Sequence, residues 1–339
     1  MAKIRVLVAD DSALARGLLR DFLESDGDIE VVGEAVNGAQ AVRLALELKP
    51  DLVTMDIEMP VMGGMEAISE IMATHAVPIL VVSSTANAQQ ACAAVARGAL
   101  DAISKPKLDP TTRAAFIAKV KMLARIKVIT HIRSRRISAV APVASVATNS
   151  NSRVFAIASS TGGPQALAAI LGELPVNFPC AILISQHISD GFAAGMADWL
   201  AGICKLPVRL AREGELLAPG VVYISPSETN LSVTRSRRIT LVRRLPEEIF
   251  HPTCDVLLTS VATVYGRLGV GIILTGMGND GAAGIEKIHQ AGGATLAQDE
   301  DSSVIYGMNR VAIERGAVQQ ILSAGDIPEA MCRLASLME

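Results

Sequence analysis

Aromatic side chains are scarce, making up only 3% of the 339 residues, with a single Trp, three Tyr and six Phe. That removes the material for a nucleic-acid face of interleaved Arg and stacking rings. A basic surplus is missing as well. The formal net charge is −3, residues 1–120 and 153–339 each carry more Asp and Glu than Lys and Arg, and only residues 121–152 are basic. Neither acidic part suits a polyanion, so no nucleic-acid partner is expected. The five cysteines, Cys92, Cys180, Cys204, Cys254 and Cys332, include no C-x-x-C pair and no His at zinc spacing. They read as reduced, mostly buried thiols of a cytoplasmic protein. No apolar run approaches the roughly 18 residues of a membrane span, and Met1-Ala-Lys-Ile-Arg leads into a short strand and two aspartates rather than a signal peptide. A chain that is not membrane-inserted is therefore expected.

With aromatics few and 50% of residues hydrophobic, the cores must be built from Ala, Val, Leu, Ile and Met, and the length allows two of them. The first part alternates short Val/Ile/Leu runs with helical periodicity, as in the Ala13–Leu23 stretch, the pattern of a parallel sheet flanked by helices. Several runs end on polar groups. Asp10 and Asp11 close Arg5-Val-Leu-Val-Ala, and Asp56 closes Leu52-Val-Thr-Met. Strand ends of an α/β sheet form its ligand-binding rim. Three acids converging there repel one another unless a hard divalent cation neutralises them, and Mg²⁺ favours such an incomplete carboxylate site. Asp56 could then accept a phosphoryl group, with Ser83 after Pro78-Ile-Leu-Val-Val and Lys105 after Ala102-Ile-Ser stabilising its charge.

On these residues, 1 to about 122 resembles the receiver domain of bacterial two-component response regulators. The resemblance implies a flavodoxin-like fold. It assigns Mg²⁺ to Asp10, Asp11 and Asp56, phosphorylation to Asp56, and the switch to Ser83 and Lys105. It also implies a sensor histidine kinase as phosphodonor. Two positions depart from the family pattern. The loop reads Met59-Pro-Val-Met-Gly63-Gly64 where an Asp-Gly pair is usual, and the aromatic switch position is Ala102.

From Lys121 the alternation decays into a basic, helical piece up to Arg136 and then a small-residue, uncharged stretch to Ser152, which together suggest a linker over 123–152. A second α/β unit is expected over 153–339. Its strands are predicted at Val154–Ala158, Ala181–Ser185, Val221–Ile224, Arg238–Val242, Val270–Leu274 and Ala294–Ala297, with an antiparallel hairpin near 220–243. Helices are predicted over 164–174, 191–202, 254–267, 281–291, 305–315 and 326–337. The fold class is thus α/β, two doubly wound domains, the second with a mostly parallel sheet.

Ser160 lies in Ala158-Ser-Ser-Thr-Gly-Gly-Pro164, between a strand and a helix. Such a turn lifts a hydroxyl to the top of a sheet, and its small residues let backbone N–H groups approach an oxyanion. The same turn would equally serve as an anion-binding helix N-terminus. His187 follows the next strand, and Asp280 follows a third in Leu274-Thr-Gly-Met-Gly-Asn-Asp-Gly281. Nucleophile, general base and orienting acid could converge there. The order Ser, His, Asp differs from that of the α/β-hydrolases. Gly276-Met-Gly278-Asn-Asp-Gly281 also fits G-x-G-x-x-G with Asp299 some twenty residues on, but Asp280 would stand beside the pyrophosphate.

Together, Ser160-Thr-Gly-Gly-Pro, Gln186-His187, the Leu274–Gly281 loop and Ala297-Gln-Asp-Glu resemble the catalytic domain of the CheB-type protein-glutamate methylesterases, and with the receiver in front the resemblance covers nearly the whole chain. It implies hydrolysis of γ-glutamyl methyl esters, and deamidation of glutamines, on the methylated cytoplasmic domain of chemoreceptors. Ser160 matches the nucleophile, His187 the base and Asp280 the orienting acid, while Thr161 and Met277 match residues shaping the oxyanion region. A hydroxyl and a base suffice for an ester, so no cofactor is expected in this half. Ala158 replaces a usual Gly, and Ser225-Pro-Ser-Glu-Thr-Asn230 lacks a usual His. A DNA-binding regulator would need a basic recognition helix that the acidic output part does not offer. A catalytically silent scaffold would be separated by the absence of methanol release.

Overall fold

The computed structural model describes residues 3–126, 153–245 and 250–336, in two compact units, Met1–Ser138 and Ala139–Glu339. Past residue 126 the basic piece and linker read from the sequence lie outside the described residues.

The first unit runs β1 (Ile4–Ala9), α1 (Ala13–Glu24), β2 (Ile29–Ala35), α2 (Gly38–Leu48), β3 (Leu52–Met55), α3 (Gly64–Thr74), β4 (Ile79–Ser83), α4 (Ala88–Val95), β5 (Asp101–Ser104) and α5 (Pro110–Leu123). Its strands order as β2-β1-β3-β4-β5, all parallel, which is the flavodoxin-like doubly wound arrangement. Strands buried on both faces explain why they read as unbroken apolar runs: Val6, Leu7, Val8, Leu80 and Val81 are all solvent-inaccessible. Helix starts follow local chemistry. Ser12 caps α1, Asn37 caps α2, and Asp109 caps α5 just ahead of Pro110.

The second unit runs β6 (Val154–Ser159), α6 (Gly163–Glu173), β7 (Ala181–Gln186), α7 (Ala193–Ala201), β8 (Val208–Leu210), β9 (Val222–Ile224), β10 (Thr229–Val233), β11 (Ile239–Arg243), α8 (Cys254–Tyr265), β12 (Gly269–Ile273), α9 (Ala282–Gln290), β13 (Ala294–Gln298), α10 (Met308–Glu314), β14 (Gln320–Leu322) and α11 (Ile327–Ser336). Seven parallel strands order as β14-β13-β12-β6-β7-β9-β8. The chain leaves β6 toward β7 and returns on its other side at β12, so the switch point of the sheet lies at the C-terminal end of β6. On one face α8 and α9 close a core that includes Leu183, Tyr223, Leu257, Leu258, Val261 and Ile285.

The antiparallel hairpin is β10 with β11, whereas the Val222–Ile224 run belongs to the parallel sheet. β10, Thr-Asn-Leu-Ser-Val, is half polar and carries no apolar run to set it apart from the strand before it. None of the described helices is long and apolar enough to cross a membrane.

Candidate active site and phosphoacceptor site

In the second unit, β6 and β7 pair in register through Ser159 and Gln186, and the His187 N–H donates to the Ser159 carbonyl at 3.0 Å. Ser160 and His187 are therefore neighbours across adjacent strand ends, about 5 Å apart in the backbone. The third strand end joins them. The Ser160 N–H donates to the Thr275 carbonyl at 3.0 Å, and a β-carbon at Gly276 would stand 2.6 Å from that of Ser160. Gly276 thus lets the β12 loop lie directly on the serine turn. The space of that loop's glycines is filled by protein: Gly281 faces Ala158 and Cys254, and Gly278 faces Phe250. Close packing, not a dinucleotide, accounts for the G-x-G-x-x-G pattern.

His187 Nε2 lies 2.7 Å from Asp280 Oδ2. The same carboxylate caps α8, accepting from the N–H of Cys254 at 2.7 Å and of Asp255 at 3.0 Å. Burial alone would raise the Asp280 carboxyl. The hydrogen bond and charge of His187, with the two helix N–H groups, outweigh it and hold the group below its ordinary value. Asp280 is therefore an anion aimed at the imidazole. With Nε2 engaged, Nδ1 is left buried without a partner, so Nδ1 is the ring nitrogen available to a hydroxyl.

The nucleophile turn is braced by a buried glutamine. Gln186 Nε2 donates to the Ser160 and His187 carbonyls at 2.7 and 2.8 Å, and its Oε1 accepts from Ser159 Oγ at 2.6 Å. Gly163 presses against that Oε1, which explains the second glycine of the turn. Gly162 has a left-handed φ of 78°, and a β-carbon there would meet Val304 at 2.5 Å. Thr161 is buried, its carbonyl accepting from Thr275 Oγ1 at 3.0 Å, while Met277 is half exposed on the rim. In the Ser225–Asn230 loop, Ser227 and Glu228 accept from the Gly191 N–H, and Asn230 accepts from the Thr253 N–H.

Two residues at this site were not singled out from the sequence. The Phe250 ring stacks on the His187 ring at 5.1 Å and 12°. Cys254 Sγ, fully buried, lies 3.5 Å from His187 Nε2 and donates to the Ser185 carbonyl at 3.3 Å. Burial, then the Asp280 charge, push its thiol well above the ordinary value, so it stays protonated and is no rival nucleophile. Neither carried a local signal. Both lie on the segment that packs on β7 through Ser185 Oγ to the Pro252 carbonyl and the Ile188 N–H to the His251 carbonyl. An aromatic stack contributes about 0.5–1.5 kcal/mol. Phe250→Ala is expected to lower kcat/KM up to about tenfold, with Phe250→Tyr near wild type. Steady-state kinetics beside thermal melts checks this, and equal rates for wild type and the alanine variant would remove Phe250 from the site.

In the first unit, Asp10, Asp11 and Asp56 each offer a carboxylate oxygen, all within 4.8 Å of one another. Lys105 Nζ lies 2.7 Å from Asp10 Oδ2 and 2.7 Å from Asp56 Oδ2. Burial would lower the lysine, but its hydrogen bonds to both acids hold it above its ordinary value. Burial, and in lesser part Asp56, push the Asp10 carboxyl up against the pull of Lys105. Ser83 Oγ is buried with no hydrogen-bond partner, at the end of β4 where its carbonyl accepts from the Lys105 N–H. An all-oxygen, hard donor set and an orphaned hydroxyl fit Mg²⁺ and a phosphoryl group. Gly64 is required because any β-carbon would collide with the Asp56 carbonyl. Ala102 is buried on β5 beside Val81.

Comparison with known proteins agrees with both halves. Residues 155–331 match the CheB methylesterase family and residues 6–116 the response regulator receiver domain. A protein-glutamate methylesterase/protein-glutamine glutaminase of Paramagnetospirillum magneticum is 51% identical, with 98% of this chain and 96% of the relative covered. Its counterpart in Salmonella typhi is 38% identical over 98% and 97%. The crystal structure of the Thermotoga maritima CheB methylesterase catalytic domain superposes with a TM-score of 0.52 at 35% identity, covering 54% of this chain and 98% of that one. These matches define a response regulator whose output unit is a hydrolase. The chain belongs to the CheB methylesterase family.

Proposed function

We propose that the protein hydrolyses γ-glutamyl methyl esters, and deamidates glutamines, on the cytoplasmic domain of chemoreceptors. The observation carrying this is the His187–Asp280 pair at 2.7 Å, held by the N-terminus of α8 at the switch point beside Ser160. Ser160 Oγ attacks the ester carbonyl while His187 takes its proton at Nδ1. The resulting imidazolium is stabilised by Asp280 at Nε2. The turn at Thr161 and the loop at Met277 flank the developing oxyanion. Collapse expels methanol with the proton from His187. Water, deprotonated by the same nitrogen, then releases glutamate from the acyl-enzyme; with a glutamine substrate the leaving group is ammonia. Methanol release from methylated receptor tests the assignment directly, and a folded, full-length protein that releases none would sink it.

The receiver is the proposed regulator. Asp10, Asp11 and Asp56 would hold Mg²⁺, which when bound neutralises their charge and that of an incoming phosphoryl group. Asp56 takes the phosphoryl from a sensor histidine kinase, and Ser83 and Lys105 contact it. With Ala102 in the aromatic position, the signal travels through the Ser83 loop and the backbone. This output is sensory adaptation in the cytoplasm. Asp56→Asn is expected to keep basal methanol release and to lose all stimulation by Mg²⁺ with a small phosphodonor, and Ser83→Ala to weaken it. Deleting residues 1–140 is expected to raise basal activity, because tethering makes even a weak inhibitory interaction effective. A folded 141–339 fragment no faster than the unphosphorylated full chain would instead favour recruitment by the receiver.

A further inference from the structure

Besides the acid cluster of the receiver, one other group of three metal-ligating side chains occurs among the described residues: His187, Cys254 and Asp280. We propose that these three bind a borderline-soft divalent cation, Zn²⁺ or a chemical equivalent, and that this ion inhibits the esterase. The inhibition rests on the reading of His187 as the general base; the binding does not.

Imidazole, thiolate and carboxylate at zinc bond lengths and tetrahedral angles stand roughly 3.3–3.6 Å apart. Cys254 Sγ is 3.5 Å from His187 Nε2, and the three ligand atoms lie within 4.8 Å of one another. The 2.7 Å between Nε2 and Asp280 Oδ2 is a hydrogen-bond length that must open when the shared proton is replaced by the metal. Binding shifts that proton to Nδ1 and releases the thiol proton that Cys254 Sγ donates to the Ser185 carbonyl. The backbone supports two of the ligands independently, since α8 begins at Cys254 and its first N–H groups already fix Asp280.

The consequence for catalysis follows from the ring. A metal on Nε2 leaves the proton on Nδ1, the nitrogen that must accept the Ser160 proton. The base is lost without any blockage of the cleft. The two clusters of the chain also sort ions by type. Three carboxylates suit Mg²⁺, whereas an N, S, O set suits Zn²⁺. Saturating Mg²⁺ can therefore occupy the receiver without competing at the esterase.

The test uses the full chain, reduced, in excess Mg²⁺, titrated with Co²⁺ as a spectroscopic stand-in for Zn²⁺. The expected result is a thiolate-to-Co²⁺ charge-transfer band that saturates at one equivalent and is displaced by Zn²⁺. The band should be absent in Cys254→Val and in Cys254→Ser, and in His187→Gln. Zn²⁺ should inhibit methanol release, with the half-inhibitory concentration in Cys254→Val raised at least roughly tenfold, the loss that even an outer-shell change causes. Inhibition of each variant is read against its own metal-free rate, because Cys254 Sγ lies 3.5 Å from His187 Nε2. Absence of the band in wild type, its survival in both Cys254 variants, or equal Zn²⁺ sensitivity of wild type and Cys254→Val would overturn the proposal. A Co²⁺ band on a protein that releases no methanol would leave the metal site standing and remove the esterase reading instead.

Discussion

Ser160→Ala should lose methanol release by a factor on the order of 10⁶ in kcat, the scale seen when a serine nucleophile is removed from a triad that works as a unit. Neighbouring hydroxyls are committed elsewhere: Ser159 Oγ donates to Gln186 Oε1, Ser185 Oγ to the Pro252 carbonyl and Thr275 Oγ1 to the Thr161 carbonyl. Cys254, the nearby alternative, is buried and held as a thiol, with its sulfur turned to the Ser185 carbonyl. Stability should hardly change. The Ser160 turn is fixed by backbone contacts to Thr275, Gly163 and the Gln186 amide, all of which an alanine retains. A shift within about ±0.5 kcal/mol is expected in urea titrations. A fluorophosphonate should label wild type at Ser160, read by mass spectrometry of the modified peptide, and leave the variant unlabelled. Retention of more than about a hundredth of the activity, or label on another residue, would reject the serine mechanism.

Much of the architecture was legible because both sheets are parallel and buried. Runs such as Val154–Ser159 and Leu52–Met55 are apolar to the point where a functional side chain begins, so strand ends and candidate groups announce one another. The hard cases are short or half polar. β8 and β14 have three residues each, and β10 carries Thr, Asn and Ser. What the sequence could not reveal is how distant segments fold over the strand ends. Phe250 and Cys254 reach His187 only because the 250–254 segment is tied to β7 by Ser185 and Ile188. Gln186 and Gln298 look like ordinary polar residues, yet both are buried braces. Gln298 Oε1 accepts from the Thr275 N–H at 2.9 Å, and Asn309 donates to the Gln298 carbonyl at 2.9 Å. A buried amide with every group satisfied specifies one arrangement, and that requirement has no periodic signature.

Asp280→Asn should cost about 10⁴ in kcat, the loss seen when a triad carboxylate becomes an amide. The geometry gives two reasons. Oδ2 accepts from both His187 Nε2 and the Cys254 N–H, so an amide must either turn its NH₂ toward one of these donors or present a weaker acceptor. An amide donor facing Nε2 would select the tautomer with the proton on Nδ1, where the base has to be free. Charge is lost as well, and with it the stabilisation of the imidazolium. The same substitution removes a helix cap, for which about 1 kcal/mol of stability is expected. Its pH dependence has a definite sign. The Asp280 carboxyl is held below its ordinary 3.8 against the pull of burial, so the folded state binds fewer protons than the unfolded state. That contribution is fully present above the unfolded value and is lost as pH falls through the depressed folded one. The stability gap between wild type and Asp280→Asn should therefore close as pH falls below about 4. Urea titrations at stepped pH, beside single-turnover methanol release at neutral pH, measure both. A fall in rate of less than tenfold would mean that His187 is oriented by something other than Asp280, and a gap that stayed fully open in strong acid would contradict the assignment of Asp280 as a buried anion.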